Sequence, residues 1–537
     1  MKLSLESIAK EKEAWAKAGV KLPLFDIAAV RAKTAAEPEW VHFGAGNIFR
    51  GFICSLNQRL LDEGLASTGI VAGISHDIEL ADKVYEPFDN LSLNVLMNPD
   101  GTTSREVLAA VTEAVKIDFS VPGGADRIKE VFRAPSLKMV SFTITEKGYQ
   151  LRRADGTYLP VVEDDMKEGP SAARHAMSIV AAMLLERFTA GSLPIAVVSM
   201  DNCSHNGEKL KAAVVEVVKA WKANGFVTDT FLEYVLDESR VSFPWSMIDK
   251  ITPRPHPKVQ ASLAADGIEG MDPIVTKKGT YIAPFVNAER PQYLVVEDRF
   301  PNGRPPLEEA GVYMADRDTV NRTERMKVTT CLNPLHTALA VYGCLLGYTL
   351  ICDEMKDPDI VRLVKRLGYV EGLPVVVDPG IISPKAFIDE VVNERLPNPF
   401  MPDDPRRIAT DTSQKVGIRF GETVKSYIAR NLDLSNLVAL PLALAGWMRY
   451  LLAVNDEGEA MTVSDDPLRE ELQAKLAGIV WNDPASYKGE VLEILSNASI
   501  FGLDLAATPL GKRIEGYFLK LLEGKGAARR LLQSTLA

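Results

Sequence analysis

A parallel α/β domain followed by a mainly helical domain is the architecture this sequence predicts, and three observations carry it. Short apolar runs at 40–43, 69–74, 138–144 and 194–199 each end in glycines or polar residues, the pattern of buried parallel strands whose carboxyl ends carry function. Residues 40–77 read in order as strand, glycine turn, helix, strand and polar turn, one complete βαβ unit. Beyond residue 306 helical periodicity dominates, with prolines and glycines only between segments. The proline-rich crossing DRFPNGRPP, 298–306, suits a link between domains. The expected domains are therefore 1–305 and 306–537. At 537 residues the chain exceeds one ordinary core, which agrees with two.

In the first unit, Gly44 and Gly46 follow the strand WVHF and precede a helix that opens with Asn47, Phe49 and Arg50. That is half of a dinucleotide fingerprint: one glycine permits the turn, and the next lets backbone approach a pyrophosphate at a helix N-terminus. The third glycine of the usual pattern is absent, and a purely structural glycine turn is the alternative. After the second strand, Asp77 is the nearest acid able to bond a ribose 2′-hydroxyl and repel a 2′-phosphate, which points to NAD with NADP as the alternative. The run SMDNCSHNG, 199–207, is a loop cap or a site at the edge of the sheet. Its Cys203 and His205 are too few for a zinc site. The stretch FPWSMIDKITP, 243–253, reads either as a site segment or as a surface turn with an Asp–Lys pair.

The helical domain opens on MKVTTCLNPLH, 326–336, followed by an apolar stretch to Cys352. Asn333 and His336, three apart, share a helical face, and Lys327 joins that face only if the intervening turn bends suitably. A lysine able to lose its proton, beside an amide and an imidazole that hold an oxygen, is equipment for moving a proton on or off a hydroxyl. A helix start with polar caps is the other reading. The run RRIATDTSQK, 406–415, carries three cations and is either a solvated face or an anion-binding one.

The net charge is −11, which argues against non-specific binding to nucleic acid or an anionic membrane surface. The N-terminus is polar, and the apolar stretches 336–352 and 437–454 are too short and too interrupted to span a bilayer. Five scattered cysteines without a CxxC suit a reduced, cytoplasmic protein. No three-ligand metal cluster is visible. The expected partner is a small molecule, and the expected assembly a monomer or weak homo-oligomer.

Taken in order, HFGAGNIFRGF, TITEKGY, SMDNCSHNG, FPWSMIDKITP, VEDRFPNGRPPLEEAGV, KVTTCLNPLHTAL and the pair Arg407 and Lys415 resemble the polyol-specific long-chain dehydrogenases, the family of mannitol dehydrogenases, fructuronate reductases and tagaturonate reductases. The resemblance spans about 40 to 415 and implies a metal-independent, NAD(P)-dependent oxidoreductase, with a Rossmann-type N-terminal domain, a mainly helical C-terminal one and the active site between them. It places the catalytic lysine on Lys327, the oxygen-stabilising asparagines on Asn202 and Asn333, and the histidine on His336. Substrate binding falls on Asp249, Arg407 and Lys415, and cofactor binding extends to Thr145 and Glu146. Lys327 precedes Asn333 by six residues where the family usually has five, Lys250 stands where arginine is common, and Pro334 follows the asparagine where a small residue is usual. The leader and an insertion around 100–124 make the chain longer than the mannitol dehydrogenases.

On this reading hydride moves between a nicotinamide and a sugar carbon while Lys327 takes or returns the hydroxyl proton. A lysine ordinarily titrates near ~10.4, so a base at neutrality needs that value depressed. The divergent motifs and the cations favour a keto-hexuronate reduced to its aldonate, fructuronate to mannonate; a mannitol-type polyol dehydrogenase or a tagaturonate reductase is the alternative. A zinc alcohol dehydrogenase and a non-catalytic NAD-binding regulator are the readings from other classes.

Overall fold

The structure, a computed structural model, describes residues 1–401 and 403–537. The apolar runs become strands because both faces of one sheet are covered, so every residue along each run finds a core. In chain order they are β1 (Trp40–Phe43), β2 (Ile70–Ile74), β3 (Val111–Lys116), β4 (Met139–Phe142), β5 (Ile195–Ser199) and β6 (Val241–Ser242). The sheet order is β3-β2-β1-β4-β5-β6, with every neighbouring pair parallel. This is the doubly wound order, whose chain reverses beside the first strand and opens a crevice past the carboxyl ends of β1 and β4. Alternation sorts the side chains: Val41, Phe43, Val140, Phe142 and Val197 enter one core, and Trp40, Ala72, Met139, Ala196 and Val198 the other.

Between β1 and β2 the chain forms a wide π turn, Phe49–Ile53, which runs into α1 (Cys54–Asp62). A long helix, α2 (Asn206–Ala223), follows the polar loop after β5. A smaller sheet joins β7 (Ser246–Asp249), β8 (Tyr293–Glu297) and β9 (Tyr313–Ala315), antiparallel then parallel. All four residues of β7 are buried, so the surface-turn reading of 243–253 is corrected. Its mix of polar and apolar residues serves a strand covered on both sides. Strands Ser92–Met97 and Thr103–Leu108 pair as an antiparallel hairpin, whose second strand falls within the stretch 100–124.

Two compact units emerge, Met1–Asn98 with Thr102–Asn321, and Pro99–Gly101 with Arg322–Ala537. The chain past Pro305 still belongs to the first unit, because β9 adds to β8 there. The division falls within α3 (Arg317–Met326). In the second unit a π turn, Lys327–Cys331, leads into α4 (Asn333–Leu345), and another, Gly417–Gly421, into α5 (Glu422–Ala429). Helix α4 packs on α6 (Ala439–Tyr450), which packs on α7 (Pro509–Leu521). Every residue of α6 is buried, including Arg449, whose guanidinium donates to the backbone carbonyls of Leu521, Val454 and Asn455. Its unpaired first amides are satisfied by the buried Glu371, whose carboxylate accepts from the N–H groups of Val438, Ala439 and Leu440 at 2.9, 2.6 and 2.9 Å. Among the described residues no helix is long and apolar enough to cross a membrane.

Candidate active site

The turn after β1 is built around two glycines with different reasons to be there. Gly44 has φ +106, and a Cβ on it would lie 2.2 Å from the carbonyl oxygen of Thr143, so no other residue fits. At Gly46 a Cβ would meet no atom of the described residues within 4 Å, so their packing does not require glycine there. The helix starts at once, with Arg50 N–H donating to the Gly46 carbonyl at 3.1 Å. Arg50 is fully buried and donates from Nη2 to Asn47 Oδ1 at 3.0 Å, while its Nε and Nη1 have no partner among the described residues. Phe49 stacks on His42 at 4.2 Å between ring centroids. Burial pushes the His42 imidazole down to about 3, so it is neutral and bonds the Ser141 and Thr143 hydroxyls at 2.7 and 2.8 Å. These residues suit a dinucleotide: Gly46 leaves a cradle that a side chain would fill, and Arg50 presents orphaned buried donors at a helix N-terminus.

Past β2, Asp77 is 5 % exposed and its Oδ2 accepts from the Thr276 and Thr280 hydroxyls, both at 2.6 Å. Those threonines flank the turn of the short hairpin Ile274–Val275 and Tyr281–Ile282, so the acid also anchors that hairpin. Past β4, the loop with Thr145 and Glu146 is held by Asp201, which accepts from the N–H groups of Ile144 and Thr145 at 2.9 Å and from the Tyr149 hydroxyl. Thr145 takes a left-handed φ of +67, and Glu146 pairs with Lys209. Burial raises the Asp201 carboxyl despite these bonds. The next residue, Asn202, is exposed. Asp249 ends β7 and is buried.

In the second unit Lys327 is 2 % exposed and opens the π turn, which closes with Leu332 N–H on the Lys327 carbonyl at 3.1 Å. The turn stands between Lys327 and α4, which begins at Asn333. Asn333 and His336 are half-buried near the start of an otherwise buried helix, on one face as the spacing predicts. His336 Nε2 lies 3.4 Å from Asp403 Oδ2. Asp403 also accepts from Arg407 Nε at 2.8 Å, so it lies between the histidine, whose Nε2 makes no hydrogen bond among the described residues, and that arginine. Burial would raise the Asp403 carboxyl, but His336 and Arg407 outweigh it and hold the group low. Arg407 is 67 % exposed, whereas Lys415 is half-buried with its amine on the Thr410 carbonyl. Sequence reasoning missed Asp201, Asp403 and Arg419. Only Arg419 had a signal, lying four residues after Lys415 and so on its face.

The sheet order, with its glycine turn at the point of reversal, makes the first unit a Rossmann-type domain, and the chain is a two-domain oxidoreductase. The family model for the Mannitol dehydrogenase Rossmann domain matches residues 38–309, and that for the Mannitol dehydrogenase C-terminal domain matches 319–516. Over 539 residues the chain is 51 % identical to the D-mannonate oxidoreductase of Thermotoga maritima, covering 100 % of this chain and 99 % of that protein. It is 28 % identical to the D-mannonate oxidoreductase of Escherichia coli K12, covering 88 % and 92 %. A solved structure of Pseudomonas fluorescens mannitol 2-dehydrogenase, a ternary complex with NAD and D-mannitol, superposes with a TM-score of 0.71 at 24 % identity, covering 100 % and 99 %. The chain belongs to the mannitol dehydrogenase family.

Proposed function

We propose that the protein is an NAD-dependent oxidoreductase that interconverts a keto-hexuronate and its aldonate, fructuronate and mannonate being the pair, with Lys327 as the acid/base. The observation that carries this reading is a single helix start. It follows a buried lysine, presents an amide and an imidazole on one face, and is touched through Thr337 by Arg419, which like Lys415 four residues earlier has no ion-paired acid among the described residues. The name of the Thermotoga maritima relative supports a sugar acid as substrate. A mannitol-type reading draws on Asp403, which already neutralises Arg407 and leaves that arginine better suited to hydroxyls.

Gly44, Gly46, Asn47, Phe49 and Arg50 would hold the dinucleotide, with Thr145 and Glu146 bordering it. Bound there, it accepts or supplies the hydride. In reduction Lys327 gives a proton to the carbonyl oxygen as it becomes a hydroxyl, and in oxidation it takes that proton back. The amide of Asn333 donates to the same oxygen as charge develops on it, the role the family resemblance also gives Asn202. His336, oriented by Asp403, fixes a neighbouring substrate hydroxyl, and Asp249 accepts from another. A substrate panel tests the reading, with fructuronate, tagaturonate, fructose, mannitol and mannonate followed by NADH and NADPH absorbance. Fructuronate reduction with NADH is the expected best case. Turnover of fructose and mannitol with none on either hexuronate overturns it.

Cofactor preference is assigned to Asp77, whose Oδ1 remains to accept from a ribose 2′-hydroxyl while Oδ2 holds the hairpin. Asp77→Ala should move the NADH-to-NADPH efficiency ratio toward NADPH by about tenfold, the scale of one lost charge-assisted hydrogen bond. Asp77→Asn keeps a hairpin acceptor and separates the two roles. An unchanged ratio in both variants removes Asp77 from the cofactor site.

Activity should also persist through prolonged EDTA treatment. Proton transfer is assigned to an amine, and among the described residues no group of three His, Cys, Asp or Glu is placed to hold a metal ion. Inactivation by chelator that zinc reverses would contradict the assignment.

A further inference from the structure

Arg419 lies in the π turn Gly417–Gly421, and both bounding glycines are forced by close backbone contact. A Cβ on Gly417 would sit 2.7 Å from the Ile500 carbonyl oxygen, and one on Gly421 would sit 1.9 Å from that of Phe501. This fixes the turn, and with it the arginine. Its Nη1 donates to the Thr337 hydroxyl, the residue after His336 on α4, and Thr337 in turn donates to the Asn333 carbonyl at 2.9 Å. Nη1 is its only guanidinium nitrogen with a protein partner among the described residues, and no carboxylate pairs with it. Burial alone pushes the Arg419 guanidinium down to about 10. One turn earlier, Lys415 is lowered by burial and by Arg419 itself. Asp411 and Asp466 act on Lys415 without ion-pair contact, and Asp466 is held by Ser413.

Two like charges, partly dehydrated, four residues apart and without an acid on either, are costly to keep unless an anion offsets them. Arg407 differs: it is mostly exposed and already held by Asp403. We propose that Arg419, with Lys415, is the residue that takes the substrate's carboxylate, and that Arg407 instead fixes Asp403 and through it His336. The free Nε and Nη2 edge of Arg419 is the fork that grips a carboxylate through two parallel bonds, which a lysine cannot copy. The proposal rests on the hexuronate reading of the site and names the group that enforces it.

The test compares wild type with Arg419→Met, Arg419→Lys, Lys415→Ala and Arg407→Ala on fructuronate and on fructose, with thermal midpoints recorded throughout. Arg419→Met should lower kcat/KM on fructuronate by about 10- to 150-fold, mostly through KM, and change fructose by far less. Arg419→Lys, which keeps the charge and loses the fork, should fall between, and it remains informative if the methionine variant does not fold. Arg407→Ala should act mainly on kcat, and alike on both substrates. Equal losses on the two substrates in both Arg419 variants, or no loss in either, overturns the proposal and leaves the hexuronate reading standing. A wild type that reduces fructose and no hexuronate removes the reading and the proposal together.

Discussion

Lys327→Ala should lower turnover by about 10²- to 10⁴-fold in both directions while leaving dinucleotide affinity near that of wild type. The split follows from the architecture, because the residues proposed to hold the cofactor belong to one compact unit and Lys327 to the other. With no amine at that position the carbonyl oxygen must take its proton from water. Single-turnover kinetics combined with dinucleotide titration by fluorescence separate the two quantities. Turnover within about threefold of wild type would remove Lys327 from the chemistry, since general acid–base groups contribute at least about 10².

The two glycines of the first turn should respond in opposite ways to the same substitution. Gly44→Ala puts a methyl 2.2 Å from the Thr143 carbonyl oxygen on a backbone with φ +106. Strained backbone costs about 1–3 kcal/mol and overpacking about as much again, so the midpoint of chemical denaturation should fall clearly. Gly46→Ala meets no protein atom within 4 Å and should unfold like wild type. Its loss should appear in dinucleotide binding, where a methyl stands in the way of a pyrophosphate. A Gly46→Ala protein that binds NADH normally would mean the cofactor does not approach that backbone.

What was legible in the sequence is what local pattern encodes. Contiguous apolar runs marked β1, β2, β4 and β5 because a strand buried on both faces needs no alternation. The glycine turn was visible for the same local reason, and so was the shared face of Asn333 and His336. The rest depends on contacts between distant positions. Asp77 bonds threonines about 200 residues downstream, and nothing near it announces that. Three-residue β9 is too short to carry a period, so the continuation of the first unit past Pro305 left no trace in composition. Buried β7 looked like a surface turn because its polar residues find partners brought by other elements, Ser246 meeting Asn206. An arginine's want of a counter-ion among the described residues, as at Arg419, is a tertiary property by definition.

The wide turn at Lys327 bears on how this chain is compared with others. Five residues close that turn where an α-helix uses four, since Leu332 N–H reaches back to the Lys327 carbonyl. One additional residue is thereby taken into the circumference without advancing the helix that follows. The sixth position separating lysine from asparagine is thus accommodated within the turn. Deletion of one residue from 328–331 should accordingly be survivable, tightening the coil while the asparagine stays where it was.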